Sequence, residues 1–172
     1  HYMTGVIFEL LNQHLEGENL LDLYCGVGTL GISLKEKFNQ IVGIEKNENA
    51  INDAKENALL NGVENAHYYA GDAGKILQSM SSTFDTVIVD PPRSGLNKET
   101  MEHILQIKPK SIAYISCDVF TLARDLSVLK ELYITNIQFI YYVYYDIVSY
   151  TQTYKGQLFI IYKQRTLNVY AC

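Results

Sequence analysis

The residues best placed to do chemistry in this chain are four carboxylates, a glycine-rich bend and a thiol, each at the end of an apolar run. The first run leads into Leu21-Asp22-Leu23-Tyr24-Cys25-Gly26-Val27-Gly28-Thr29-Leu30-Gly31. Glycines at 26 and 28 let the backbone turn sharply and approach a ligand where a side chain would collide. A helix starting after the bend points its unpaired N–H groups toward that ligand. Asp22, inside the strand end, can accept hydrogen bonds from the bend or from a ligand ammonium. Glu45 closes the second run, where an acid can accept both hydroxyls of a ribose. Asp72, in Gly71-Asp72-Ala73, follows the third and suits an adenine amino group. Each has a plainer reading, Asp22 as a turn stabiliser and the other two as helix N-caps. Together with the bend, the three acids predict a nucleoside pocket. The string Gly26 to Gly31 also satisfies the dinucleotide fingerprint spacing, so the bend alone leaves the kind of nucleotide open.

The fourth run ends Val87-Ile88-Val89-Asp90-Pro91-Pro92-Arg93-Ser94-Gly95-Leu96. Two prolines fix the backbone and remove two N–H donors, giving a stiff shelf at a strand's C-terminal edge. A flat base can lie against such a shelf, flanked by Pro91 and Arg93, with Asp90 bonded to its edge. The plainer reading is a rigid turn with a capping acid. The fifth run ends at Ser116-Cys117-Asp118, and Cys117 taken alone is as readily a small core residue as a nucleophile.

These residues need elements to hold them. Short β-rich runs occur at Asn19–Tyr24, Ile41–Glu45, Ala66–Tyr69, Thr86–Asp90, Ser111–Ser116, Ile137–Tyr145 and Leu158–Tyr162. Helical spacing lies between the first six: Leu30, Leu34 and Phe38 fall on one face, as do Ile51, Ala54, Ala58 and Leu59. Asn47 suits an N-cap and Asn61-Gly62 a helix stop. Thr121, Leu122, Asp125, Leu126 and Leu129 space a helix after Cys117. The β-α-β rhythm predicts a doubly wound α/β domain with a mostly parallel seven-stranded sheet. The stretch from Asp146 to Gln157 has no helical pattern, so the last two strands are expected to form an antiparallel edge hairpin. The tyrosine-rich stretch Ile140–Tyr145 reads as a strand with aromatic faces. His1-Tyr2-Met3 carry no weight in this reading.

Composition narrows the class. The chain's 172 residues suit one domain, residues 1–172, and 48% hydrophobic residues suit a packed core. No apolar run is long enough to span a bilayer, and no secretory signal pattern opens the chain. Three widely spaced cysteines, Cys25, Cys117 and Cys172, argue against a disulfide framework or a four-ligand zinc site. They fit a reducing compartment, the cytoplasm, with no metal expected. The net charge of −5 and pI near 5.3 argue against a module that grips phosphates unaided.

The bend from Asp22 to Gly28, the Asp90-Pro91-Pro92-Arg93-Ser94-Gly95 run and Ser116-Cys117 followed by Thr121-Leu122-Ala123-Arg124-Asp125-Leu126 together resemble the RNA uracil-C5 methyltransferases, which make 5-methyluridine in tRNA and rRNA. The resemblance covers nearly the whole chain and implies a Rossmann-like class I methyltransferase fold. It implies that Tyr24, Thr29, Glu45 and Asp72 contact S-adenosylmethionine, in the pocket where Asp22, Gly26 and Gly28 shape the wall. Asp90 then sits between cofactor and base, Cys117 is the nucleophile, and RNA is the partner. It further implies that RNA is held partly by an N-terminal domain that is not matched here, leaving the catalytic half.

The chain departs from the family pattern at several positions. Asp118 and Val119 stand where Asn-Pro is usual, and a carboxylate beside a thiol disfavours the thiolate. In the segment Asp146 to Lys155 the family's proline falls on Ser149, its histidine on Thr153 and its base glutamate on Lys155. A protonated lysine cannot remove a proton, so no base is assigned. The family's cofactor-contacting glutamine is also unmatched. These departures keep two other expectations open: a cofactor-binding or RNA-binding scaffold without catalysis, and an exocyclic-nitrogen methyltransferase using the Asp-Pro-Pro shelf.

Overall fold

The structure, a computed structural model, describes residues 2–116, 118–129, 138–143, 146–151 and 157–162. Its elements alternate as α1 (Tyr2–His14), β1 (Gly17–Leu23), α2 (Thr29–Ser33), β2 (Phe38–Glu45), α3 (Glu48–Leu60), β3 (Ala66–Ala70), α4 (Ala73–Ser79), β4 (Thr86–Val89), α5 (Lys98–Ile107), β5 (Ser111–Ser116) and α6 (Val119–Leu129). Three strands follow: β6 (Gln138–Val143), β7 (Asp146–Thr151) and β8 (Gln157–Tyr162). One sheet runs in the order β3-β2-β1-β4-β5-β8-β6-β7, with β1 to β5 mutually parallel.

Consecutive side chains on a strand point to opposite faces, and both faces of the sheet are covered over β1 to β5. Leu21, Leu23, Val42, Ile44, Val87, Val89, Ile112 and Tyr114 pack with Leu77, Met101, Ile104, Leu122 and Leu129, so α4, α5 and α6 cover one side. The intervening Leu20, Ile41, Ile88, Ala113 and Ile115 pack with Ile7, Leu11, Leu15 and Leu34, bringing α1 and the end of α2 to the other. Ile51, Ala54 and Ala58 of α3 complete that face with Tyr68 and Cys25. A sheet buried on two faces explains why the first strands read as continuous apolar runs. Among the described residues, no helix is long and apolar enough to cross a membrane.

The doubly wound parallel core agrees with the sequence reading, and the far edge does not. The sheet has eight strands rather than seven. The two segments expected to pair as an antiparallel hairpin, β6 and β8, lie parallel, with Gln138 opposite Phe159. β8 instead adds in parallel to β5, and the intervening chain forms β7, which pairs antiparallel with β6. The segment expected to be a connection, which lacks helical spacing, thus supplies the edge strand. Two helix faces also differ. α2 stops at Ser33, so Phe38 opens β2 and is buried there. Leu59 is 79% exposed, because the buried stripe of α3 runs through Ile51, Ala54 and Ala58. Asn47 does cap α3, accepting from the N–H groups of Asn49 and Ala50, and Gly62 follows its end at φ 64°. α1, unread in the sequence, packs Ile7 and Leu11 into the core, and Leu15 follows directly after it.

Candidate functional site

The parallel register carries the strand tips to one rim. Leu23 lies opposite Ile44 on one side and Val89 on the other, and Ile44 lies opposite Tyr69. The residues that follow, Tyr24, Glu45, Ala70 and Asp90, therefore leave the sheet side by side. Beyond β1 the chain reverses through positive φ at Tyr24 (60°), Gly26 (54°) and Gly28 (79°). A side chain at Gly28 would put its Cβ 2.8 Å from the Tyr68 hydroxyl, and one at Gly43 would stand 2.5 Å from the Tyr68 ring. The two glycines thus let the Tyr68 ring lie beneath the bend, a contact the sequence reading missed. Asn57 of α3 ties the bend from outside, its Nδ2 donating to the Val27 carbonyl at 3.0 Å.

Each predicted acid can now be placed. Asp22 is wholly buried; its Oδ2 accepts the Gly31 N–H at 3.0 Å and its Oδ1 has no partner. Burial pushes its carboxyl up to about 7, with Asp90 adding to the rise against the Gly31 hydrogen bond. Glu45 accepts the N–H groups of Gly26 at 3.3 Å and Asn47 at 2.8 Å, so it joins the bend to the start of α3. Asp72 caps α4, its Oδ1 accepting from Gly74 and Lys75, which realises its plainer reading. Burial above all pushes the Tyr24 phenol up, against a hydrogen bond with Thr100, and the charges of Asp72, Asp125 and Glu45 add to the rise.

A cleft of about 290 Å³ opens at this rim between the bend and α1, lined by Tyr24, Gly26, Thr29, Asp90 and Ile115 together with Ile7 and Phe8. The α1 residues are a second omission from the sequence reading, which looked for glycines and charges and had no signal for an apolar wall. Nothing lies within 4 Å of the direction a Gly26 side chain would take, so that position faces open space. Asp22, Glu45 and Asp72 do not line this cleft; they stand behind and beside it. Cys25 is not a competing nucleophile: burial, with Asp22 and Glu45 nearby, drives its thiol far up. Cys117 and Lys155 lie outside the described residues.

The Asp90–Leu96 shelf is held from α6. Pro92 and Gly95 close a turn, the Gly95 N–H donating to the Pro92 carbonyl at 2.8 Å. Asp125, 2% exposed, accepts the Leu96 N–H at 2.7 Å and the Tyr114 hydroxyl at 2.6 Å. Arg124 donates to the carbonyls of Ser94 and Leu96 and pairs with Asp125 at 2.7 Å. Asp118, next to the thiol in sequence, caps α6: its Oδ1 accepts from the N–H groups of Phe120 and Thr121 and from the Thr121 hydroxyl. The Thr121 N–H above all, with Phe120 and Arg93, holds this carboxyl below the usual range. Its substitution for the family asparagine thus preserves a capping oxygen.

A parallel sheet wound on both faces, with a glycine bend and acidic strand ends along one rim, defines an α/β domain of the Rossmann-like methyltransferase fold. The chain belongs to the tRNA (uracil-5-)-methyltransferase family, whose sequence profile matches residues 2–162. An RNA methyltransferase of Caldanaerobacter subterraneus subsp. tengcongensis is 46% identical over 117 residues, which cover 68% of this chain and 26% of that protein. One from Enterococcus faecalis is 42% identical over 134 residues, 74% of this chain and 29% of that protein. The crystal structure of a tRNA (uracil-54, C5)-methyltransferase from Pyrococcus abyssi, in complex with S-adenosyl-L-homocysteine, matches with a TM-score of 0.66 at 36% identity, covering 74% of this chain and 31% of that one. The chain thus spans between a quarter and a third of the length of these three proteins.

Proposed function

We propose that this chain is the S-adenosylmethionine-binding catalytic part of an RNA methyltransferase that modifies C5 of a uridine. The observation that carries the reading is the rim itself: a glycine bend in positive φ, backed by a buried carboxylate whose Oδ1 is unpaired, beside a cleft that Asp90 helps to line. The residues fit an adenosyl-amino-acid ligand. Tyr24 and Thr29 line the cleft, Gly26 admits close approach, Gly28 turns the bend over the Tyr68 ring, and Glu45 and Asp72 offer carboxylates for ribose and adenine. When bound, the cofactor supplies an electrophilic methyl group. Cys117 adds as a thiolate to C6 of uracil and makes C5 an enolate carbon nucleophilic enough to be methylated. A base then removes the C5 proton and the thiolate leaves. Asp90, Pro91 and Arg93 form the surface that takes the base. With a net charge of −5, most of the phosphate grip is assigned to parts of the protein beyond this chain.

Lys155 at the position of the family's base glutamate favours a second reading, cofactor binding without transfer. One experiment separates the two. Full-length protein is incubated with labelled cofactor and RNA containing 5-fluorouracil, which blocks the final proton loss. A covalent RNA–protein adduct that disappears in Cys117→Ala is the expected result. Cofactor binding with neither adduct nor transfer supports the scaffold. Undiminished transfer by Cys117→Ala to ordinary RNA would move the reaction to an exocyclic nitrogen.

A further inference from the structure

We propose that Arg124 and Asp125 are a positioning pair that fixes the base-binding shelf relative to the helix following Cys117; this rests on the function proposed above. The shelf meets α6 at two levels. At the start of the helix the charge of Arg93 acts on Asp118, the N-cap. Nearly two turns further, Arg124 and Asp125 hold the backbone of Ser94 and Leu96 by side-chain hydrogen bonds. Asp125 also binds Tyr114 of β5, so strand, shelf and helix share one buried carboxylate. Gly95 adopts φ 73°, and a Cβ there would stand 2.5 Å from both Arg124 Nη2 and Asp125 Oδ2. The pair and the glycine therefore fit as a unit. An apolar contact would join helix to sheet without the desolvation cost of a buried carboxylate. What directional bonds to Leu96 and Ser94 add is a fixed placement of the loop, and an error near 1 Å at reacting groups costs rate steeply.

The test uses full-length protein with uridine-containing RNA and compares Asp125→Asn and Tyr114→Phe with the wild type. Asp125→Asn should lower kcat at least 30-fold while the KM for RNA and the affinity for S-adenosylhomocysteine stay within about two-fold. Hydrogen exchange should quicken at residues 93–97 and stay unchanged at the Gly31 amide, which Asp22 holds. Tyr114→Phe, which removes one bond and no charge, should show the same pattern more weakly. Unchanged kcat in both variants, or unchanged exchange at 93–97, overturns the proposal alone. So does a fall in cofactor affinity and Tm that matches the fall in kcat, since a merely structural role gives that result. Wild-type protein that methylates no RNA overturns the reaction and the proposal together.

Discussion

Two loops leave the same rim of the sheet and are built in opposite ways. The β1–α2 bend carries three residues in positive φ and has behind it two buried polar atoms without partners, Asp22 Oδ1 and the Tyr68 hydroxyl. The β4–α5 shelf has one positive φ, at Gly95, and its backbone is bound by Arg124 and Asp125. Unpaired buried polar atoms are costly, and sites that bind ligands are where such costs collect. The bend is therefore suited to be completed by something that binds, and the shelf is complete within the protein. A loop of the first kind should tolerate loss of charge and respond to ligand; one of the second kind should respond to steric change.

The largest effect expected is on the bend. Burial raises the Asp22 carboxyl from 3.8 to about 7, so between those values the folded chain holds a proton that the unfolded chain has released. Stability then falls as pH rises through that window, on the order of 4 kcal/mol in all, and is constant above it. Urea unfolding across pH 4 to 8 should show this slope, and Asp22→Asn should flatten it while keeping an oxygen for the Gly31 N–H. An unaltered slope in the variant would assign the strain to some other group and remove half of the contrast.

The two glycines sharpen it next. Gly95→Ala drives a Cβ against the buried Asp125 carboxylate and the Arg124 guanidinium, and a broken buried pair costs about 3 kcal/mol. Gly26→Ala has the same sign of φ and no atom within 4 Å, so the left-handed backbone alone should cost about 1 kcal/mol. Denaturant midpoints give both values. Equal losses would mean that the shelf is no more tightly held than the bend.

This contrast was only half legible in the sequence. Glycines, prolines and strand-end acids mark a rim because they act locally: each restricts or frees its own backbone, and the register of a parallel sheet then aligns them. The placement of Asp22, Glu45, Asp72 and Asp90 at or near the strand ends could be read for that reason. Asp125 and Arg124 stood in plain view, but their partners, Leu96 and Ser94, lie some thirty residues away, and no periodicity announces such a pairing. Ile7 and Phe8 escaped because an apolar wall looks like any helix face. At the far edge, β7 was missed because its apolar residues, Ile147, Val148 and Tyr150, are interrupted by Ser149 and follow Tyr145 with no glycine or proline to mark a turn.

The smallest effect tests whether a capping acid can also serve a ligand. Asp72 accepts two N–H groups of α4 through Oδ1, and asparagine caps about as well, so Asp72→Asn should change stability by less than about 0.5 kcal/mol. It nevertheless removes a charge that acts on Tyr24, and a charged acceptor holds an amino group more strongly than a neutral one. Titration calorimetry with S-adenosylhomocysteine should therefore show a three- to ten-fold loss of affinity in Asp72→Asn. Asp72→Ala should show at least that loss together with about 1 kcal/mol of lost stability from the cap. If Asp72→Asn binds like the wild type and Asp72→Ala loses stability alone, Asp72 is a cap and nothing more, and the adenine end of the pocket must be built from Tyr24 and its neighbours.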